Sequence, residues 1–311
     1  MRTIVVATRQ SQLALTQTGH VVERLKQICR EAGWDYTFEL KKIVTKGDRI
    51  LDVTLSKVGG KGLFVKEIEQ ALIDREADMA VHSMKDMPSE RHEGLIIGAV
   101  PEREDARDCI ITRHGGGVDG LPQGARVGTS SLRRMAQLKL LRPDLDLASV
   151  RGNIDSRIRK LEAGEYDAIL LAAAGLHRMG WQDRIDAYLS PEQCLPAVGQ
   201  GALGIECREN DSIMRELLER LHHARTALTT TAERTFLARL NGGCQVPIGA
   251  HAVLESNGAV RLTGLVAAPD GSSMLKEMVT GTDPVQLGND LAEALIARGA
   301  DRLLAEVEIG G

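Results

Sequence analysis

Arg2-Thr3-Ile4-Val5-Val6-Ala7-Thr8, the run from Gln12 to Ala32, and Tyr36 to Val44 read in turn as strand, helix and strand, and this opening decides the fold. The rhythm continues with a helix over Phe64 to Asp74 and a buried strand over Ala77 to Val81. Strands alternating with helices predict an α/β architecture. The polar crossing Pro101-Glu102-Arg103-Glu104-Asp105 separates two apolar segments, so a second unit is expected from about Arg107. Its strands are expected at Arg126 to Gly128, Leu147 to Val150 and Ala168 to Ala172, with a helix over Leu132 to Leu141. Leu195-Pro196-Ala197-Val198-Gly199-Gln200-Gly201 reads as a return to the first unit, and two such units joined by crossings predict a cleft. The last ninety or so residues differ. They read as a helix over Thr231 to Leu240 with a capping box at Thr230 and Glu233 and a stop at Asn241-Gly242. Hairpins at Ser256-Asn257-Gly258 and Pro269-Asp270-Gly271 and a helix over Val285 to Arg298 complete a small α+β domain.

Composition narrows the function. The 311 residues, 43% hydrophobic and 26% charged, suit two or three globular domains. A net charge of -4 with only 3% aromatic residues leaves neither the basic face nor the stacking rings that nucleic acid needs. The longest apolar run, Ala168 to Leu176, is far short of the ~18 residues of a membrane span. The N-terminal apolar stretch is broken by Arg9, so the start reads as that of a cytoplasmic chain. Five scattered cysteines, with no C-x-x-C pair, suit reduced thiols and argue against a zinc site or other metal centre.

Some familiar patterns fail on context. Gly199-Gln200-Gly201-Ala202-Leu203-Gly204 has dinucleotide-loop spacing but leads into a strand rather than a helix. Gly59-Gly60-Lys61-Gly62 lacks the hydroxyl residue and upstream glycine of a phosphate loop. Other patterns hold. His82-Ser83-Met84-Lys85-Asp86-Met87-Pro88 follows a buried strand, where α/β sheets gather ligand groups, although a solvated surface turn reads equally from the residues. Gly128-Thr129-Ser130-Ser131-Leu132-Arg133-Arg134 puts hydroxyls at a helix start, whose free N–H groups favour an anion. Arg133 and Arg134 oppose that helix dipole unless a negative ligand compensates; exposed arginines beyond an ordinary serine cap are the alternative. Arg151, Arg157 and Arg178 add guanidinium groups at similar places, which predicts a ligand with several carboxylates or phosphates. Cys244 lies just past a helix C-terminus in a glycine-rich turn, where the dipole disfavours a thiolate. A thiol that reacts once and stays a thioether is compatible with that place, as is a structural cysteine.

Together these motifs, with Ala7-Thr8-Arg9-Gln10-Ser11, Val58-Gly59-Gly60-Lys61-Gly62-Leu63-Phe64, Arg151-Gly152-Asn153 and Gly243-Cys244-Gln245-Val246-Pro247, resemble the hydroxymethylbilane synthase (porphobilinogen deaminase) family over nearly the whole chain. The resemblance implies two α/β domains like the halves of a periplasmic binding protein, 1–100 with 201–219 and 106–196, and a cofactor-bearing α+β domain, 224–311. It implies a dipyrromethane primer joined to Cys244 by a thioether, onto which four porphobilinogen units are added with loss of ammonia before water releases hydroxymethylbilane, a haem precursor. No metal, nucleotide, nucleic acid or membrane partner is implied, and a monomer is expected.

Each porphobilinogen carries an acetate and a propionate. Arg9, Arg133, Arg134, Arg151, Arg157 and Arg178 are expected to clamp these acids, with Ser11, Ser83, Lys85, Thr129, Ser131 and Gln200 as further binding residues. Asp86 is the expected catalytic residue: it would hold pyrrole N–H groups, stabilise the cationic azafulvene left when ammonia departs, and assist proton transfer. Thr45 to Gly62 is expected to be a mobile lid presenting Lys57 and Lys61, or else a loop with solvated lysines. Two other classes remain open from sequence: a non-catalytic receptor for a polyanion, and a different transferase in which Cys244 is structural.

Overall fold

The computed structural model describes residues 2–49, 62–90, 92–242, 246–268 and 270–309. These fall into two compact units, the first drawing on the chain up to residue 49, on 62–103 and on Ala202–Ala227, the second on Glu104–Gly201 and on the described residues from Leu228 onward.

In the first unit, strand β1 (Arg2–Arg9) lies parallel to β2 (Tyr36–Ile43) and to β3 (Met79–Ser83). Helix α1 (Gln12–Ala32) connects β1 and β2. It starts where the Ser11 hydroxyl accepts the Ala14 N–H, and it stops at Gly33, whose φ of 68° is left-handed. Its buried face, Val21, Val22, Leu25 and Ile28, packs on Ile4 and Val6 of β1. A later segment returns as β10 (Leu203–Arg208), antiparallel to both β3 and β4 (Leu95–Ala99), giving the sheet order β2-β1-β3-β10-β4. Every residue of β10 is buried, so Glu206 needs a partner; His82 on β3 lies 3.0 Å away.

The second unit contains two sheets. One has the order β7-β6-β8-β5-β9, built from β5 (Asp108–Thr112), β6 (Arg126–Gly128), β7 (Asp146–Ala148), β8 (Ala168–Ala172) and β9 (Ala187–Leu189). The other is the antiparallel set β11 (Ile248–Leu254), β12 (Val260–Ala267) and β13 (Met274–Gly281). Alternation along β12 sends Val260, Leu262 and Val266 against Phe236, Leu291 and Leu295 of the flanking helices, while Leu265 and Ala267 on the other face meet Ala136 and Leu195. Two α/β sheets and a small α+β element are the class that the strand–helix alternation predicts.

One expected helix start is corrected. The helix read from Thr231 begins at Ala224 and runs to Arg239. Thr230 and Glu233 therefore lie inside it, and Glu233, fully buried, accepts the N–H groups of Gly199 at 2.7 Å and Ala252 at 2.8 Å instead of closing a capping box. The spacing was that of a cap, but the carboxylate satisfies backbone donors of two other segments. The stop at Asn241-Gly242 holds, with Asn241 at φ 52° and the Gly242 N–H donating to the Leu237 carbonyl. Of the expected lid, Lys46–Arg49 forms one helical turn, α2, while residues 50–61, including Lys57 and Lys61, lie outside the described residues; the next described helix is α3 (Lys66–Ile73).

Candidate functional site

In the first unit, β1 ends at Arg9, and β3 ends at Ser83 before a tight 3-10 turn over Met84–Asp86. Buried Met84 and Met87 fix that turn, and the Met84 N–H donates to the Ala202 carbonyl, leaving Lys85 and Asp86 part-exposed between them. The Arg9 guanidinium donates through Nε to Asp48 at 3.1 Å, lies 3.7 Å from the Asp86 carboxylate, and sits 4.1 Å above the centre of the Phe64 ring. Burial pushes the Asp48 carboxyl up, but hydrogen bonds and charge from Arg9, with the Thr45 hydroxyl, outweigh it and hold the group below its ordinary value. Ser11 is used as the cap of α1, and the Ser83 hydroxyl donates to buried Gln17 at 3.1 Å. Arg9 and Asp86 are thus brought together, with Asp48 as the partner that sequence reading missed.

In the second unit, α4 (Leu132–Leu141) begins at Ser131, whose hydroxyl accepts the Arg134 N–H. Thr129 is fully buried and accepts the Ser131 N–H at 3.3 Å. The first turn of α4 does not leave its arginines for solvent. Arg133 and Arg134 are 3% and 6% exposed, and both close on Asp108 at the head of β5. Arg133 donates to Asp108 at 2.6 Å and to the Leu195 carbonyl at 2.6 Å. Arg134 donates to Asp108 through Nε at 3.0 Å and a terminal nitrogen at 2.7 Å, and to the Leu170 carbonyl at 3.1 Å. The Gln200 amide adds a 2.8 Å bond to the same carboxylate. Desolvation alone would push the Asp108 carboxyl up; the charges and hydrogen bonds of Arg133 and Arg134 override it and hold it far below the usual carboxylate range. The compensation expected from a ligand at this helix start is therefore supplied by a buried side chain of the protein.

The remaining arginines differ. Arg157 lies in α5 (Ile154–Glu162) and donates to the Gly152 carbonyl at 2.8 Å. Burial, with repulsion from Arg134 and Arg151, pushes its guanidinium down to about 10. Arg178, at the end of α6 (Ala173–Arg178), donates to the Gly201 carbonyl at 2.6 Å; burial pushes it down to about 10 although Glu104 pulls the other way. Arg151 is half-buried. The charges of Arg134 and Arg151 bear on Arg157, and a set of guanidinium donors of this kind is chemically suited to the carboxylates of a dipyrromethane. Gly199 and Gly201 take φ of 68° and 85°, and a Cβ on Gly201 would lie 2.4 Å from the Glu104 carbonyl, so these glycines serve a tight turn.

The four described cysteines, Cys29, Cys109, Cys194 and Cys207, are free and buried. Burial raises all of them, Cys109 and Cys194 to about 12 and Cys207 to about 11. Cys244 lies outside the described residues. Among the described residues there is no group of three or more His, Cys, Asp or Glu placed to hold a metal ion, and no helix long and apolar enough to cross a membrane. Asp108 left little trace in the sequence, because one acid heading the apolar run Cys109-Ile110-Ile111 has no periodicity to betray it. The signal available was a charge at the first residue of a strand whose next three residues are apolar.

Two α/β sheets with charged side chains at their strand ends and a small α+β element define the class of α/β protein to which the chain belongs. The chain belongs to the porphobilinogen deaminase family: residues 4–216 match the family model for the porphobilinogen deaminase dipyromethane cofactor binding domain, and residues 227–297 match that for the C-terminal domain. It is 60% identical to the porphobilinogen deaminase of Paenibacillus macerans, over 96% of this chain and 98% of that one. With the porphobilinogen deaminase of Bacillus subtilis it shares 55% identity over 99% of this chain and 97% of the relative. A distant likeness, 14% identity and a TM-score of 0.39 over 73% of this chain and 94% of the other, extends to a periplasmic binding protein of Salmonella typhimurium with high arginine specificity.

Proposed function

We propose that this chain is a cytoplasmic, monomeric transferase, hydroxymethylbilane synthase, that joins four porphobilinogen molecules head to tail with release of four ammonia. One water then frees hydroxymethylbilane, and the primer stays on the enzyme. The observation that carries this reading is the match of residues 4–216 and 227–297 to the two porphobilinogen deaminase domains; Arg157, pushed down by burial and by the charges of Arg134 and Arg151, suits a ligand rich in carboxylates. Arg151, Arg157 and Arg178 receive acetate and propionate groups in the second unit, and Arg9 and Lys85 do so in the first. Arg133 and Arg134 act from the buried side, where Asp108 already holds them. Thr129 and Ser131 shape the start of α4, Ser11 that of α1, and Ser83 and Gln200 fix the adjoining strand end and turn. Lys57 and Lys61 supply further cations for the acids of the substrate.

Asp86 is the acid–base residue. Its carboxylate is part-exposed and sits near Arg9 without being enclosed by it, so it can accept a pyrrole N–H, face a developing cation and exchange a proton. The dipyrromethane, when bound, supplies the free pyrrole carbon at which the chain grows. Its thioether is assigned to Cys244 because the other four thiols are buried and raised out of easy reaction. Free, buried thiols also suit a reducing compartment. One domain accompanies each sheet: 1–100 with 201–219, 106–196, and 224–311. Intact-mass measurement tests the reading: the native chain should carry two pyrrole units that Cys244→Ser loses. A native chain without the adduct, or an adduct that survives in Cys244→Ser, overturns it.

A further inference from the structure

Asp108 has no exposed surface, and donors from three separate places converge on its two oxygens. Oδ1 accepts from Arg134 at 2.7 and 3.0 Å and from the Gln200 amide at 2.8 Å; Oδ2 accepts from Arg133 at 2.6 Å and from the Cys194 thiol at 3.2 Å. This one carboxylate therefore ties the first turn of α4 to the 194–200 segment, and Arg133 and Gln137 reinforce the tie through the Leu195 carbonyl. Two guanidiniums against one carboxylate leave a net positive charge in the interior, and Arg134 is the member of the pair that repels Arg157.

We infer that Asp108 is a positioning residue for substrate binding: its grip on Arg133 and Arg134 fixes where Arg134 stands beside Arg157, and so sets the geometry in which Arg151 and Arg157 receive the acidic side chains of the growing chain. The inference rests on the function proposed above. Asp108 touches no substrate and acts through Arg134. A buried ion pair of this kind gives little net stability but holds its partners in one arrangement, and that arrangement is what a planar, bidentate clamp depends on. The thiol of Cys194, kept protonated by burial, is a donor to Asp108 and needs no redox or nucleophilic role.

The test uses the primed holoenzyme. Asp108→Glu keeps the charge but shifts it by one methylene. Primer content is read by intact mass, stability by urea denaturation, and KM and kcat per primed molecule with porphobilinogen. KM is expected to rise roughly tenfold, the loss of about one well-aligned charged contact, with kcat within about twofold. In combination with Arg157→Gln the KM effects should be non-additive, because both changes act on one cluster. A variant with altered stability but unchanged KM, or with additive effects, shows Asp108 to be structural only and overturns the inference. If Asp108→Glu fails to accumulate as primed protein, Cys194→Ala, which removes one donor and leaves both arginines, is run through the same cycle. It should raise KM about two- to threefold, again coupled to Arg157→Gln, and an unchanged KM overturns the inference. A native chain that neither carries the adduct nor consumes porphobilinogen fails the proposed function instead, so the two failures are told apart.

Discussion

The two units solve the problem of holding charge beside an apolar sheet in opposite ways. In the first, Arg9 stands between two carboxylates, Asp48 and Asp86, all three part-exposed. In the second, a fully buried carboxylate, Asp108, stands between two arginines, and Arg151 and Arg157 lie beyond it. The first arrangement leaves negative charge near solvent, where it can meet a cation and move a proton. The second leaves positive charge, where it can hold an acid but do no proton chemistry near neutral pH. On the proposed function, sign and burial together divide the work: the carboxylate excess of the first unit serves catalysis and the guanidinium excess of the second serves binding.

The largest expected effect breaks this comparison on the catalytic side. Asp86→Asn keeps the shape of the turn, whose buried Met84 and Met87 are untouched, but removes the charge that faces a developing cation. kcat should fall roughly 10²- to 10³-fold with little change in stability, read by steady-state turnover of porphobilinogen. A kcat close to that of the native enzyme would move the chemistry away from the first unit. Arg157→Gln is the counterpart in the second unit. It removes a cation that the fold keeps under strain, so urea denaturation should show the variant about 0.5–1 kcal/mol more stable, while KM rises about tenfold at nearly constant kcat. A residue that costs stability and improves binding is the mark of a binding site; a destabilised Arg157→Gln would mean that Arg157 serves the fold.

These same residues show how much of the fold is legible in the amino-acid sequence. Helices α1 and α4 were legible to the residue, because Ser11, Gly33 and Ser131 are caps with local chemistry. Strand β8 was legible as an apolar run between polar turns. The start of the helix Ala224–Arg239 was not: its threonines are poor helix formers in isolation, and the Thr230–Glu233 spacing imitates a cap. Only tertiary structure turns Glu233 inward to Gly199 and Ala252, which are distant in sequence. At the site, the arginines were visible as residue types, but which of them close on Asp108 was not. Arg133 and Arg157 look alike in the sequence, and what separates them is Asp108, twenty-five residues upstream of Arg133 on another element.

Acid titration sharpens the comparison at its smallest effect. Asp48 and Asp108 are both held below the ordinary carboxylate value, so each binds a proton more readily in the unfolded chain than in the folded one. Such a group contributes stability above the unfolded value of about 3.9 and loses that contribution as pH falls through its folded value. For Asp108 the folded value lies so low that the loss continues throughout acid unfolding. For Asp48, which keeps contact with water and is screened, the whole contribution should be at most about 1 kcal/mol and be lost as pH falls through its lowered folded value. Urea denaturation of Asp48→Asn at neutral pH and near pH 3 should therefore show a deficit from the native protein that shrinks on acidification. A deficit that is the same at both pH values would mean that the carboxylate charge of Asp48 is not what holds Arg9, and that Asp86 and Phe64 position the guanidinium without it.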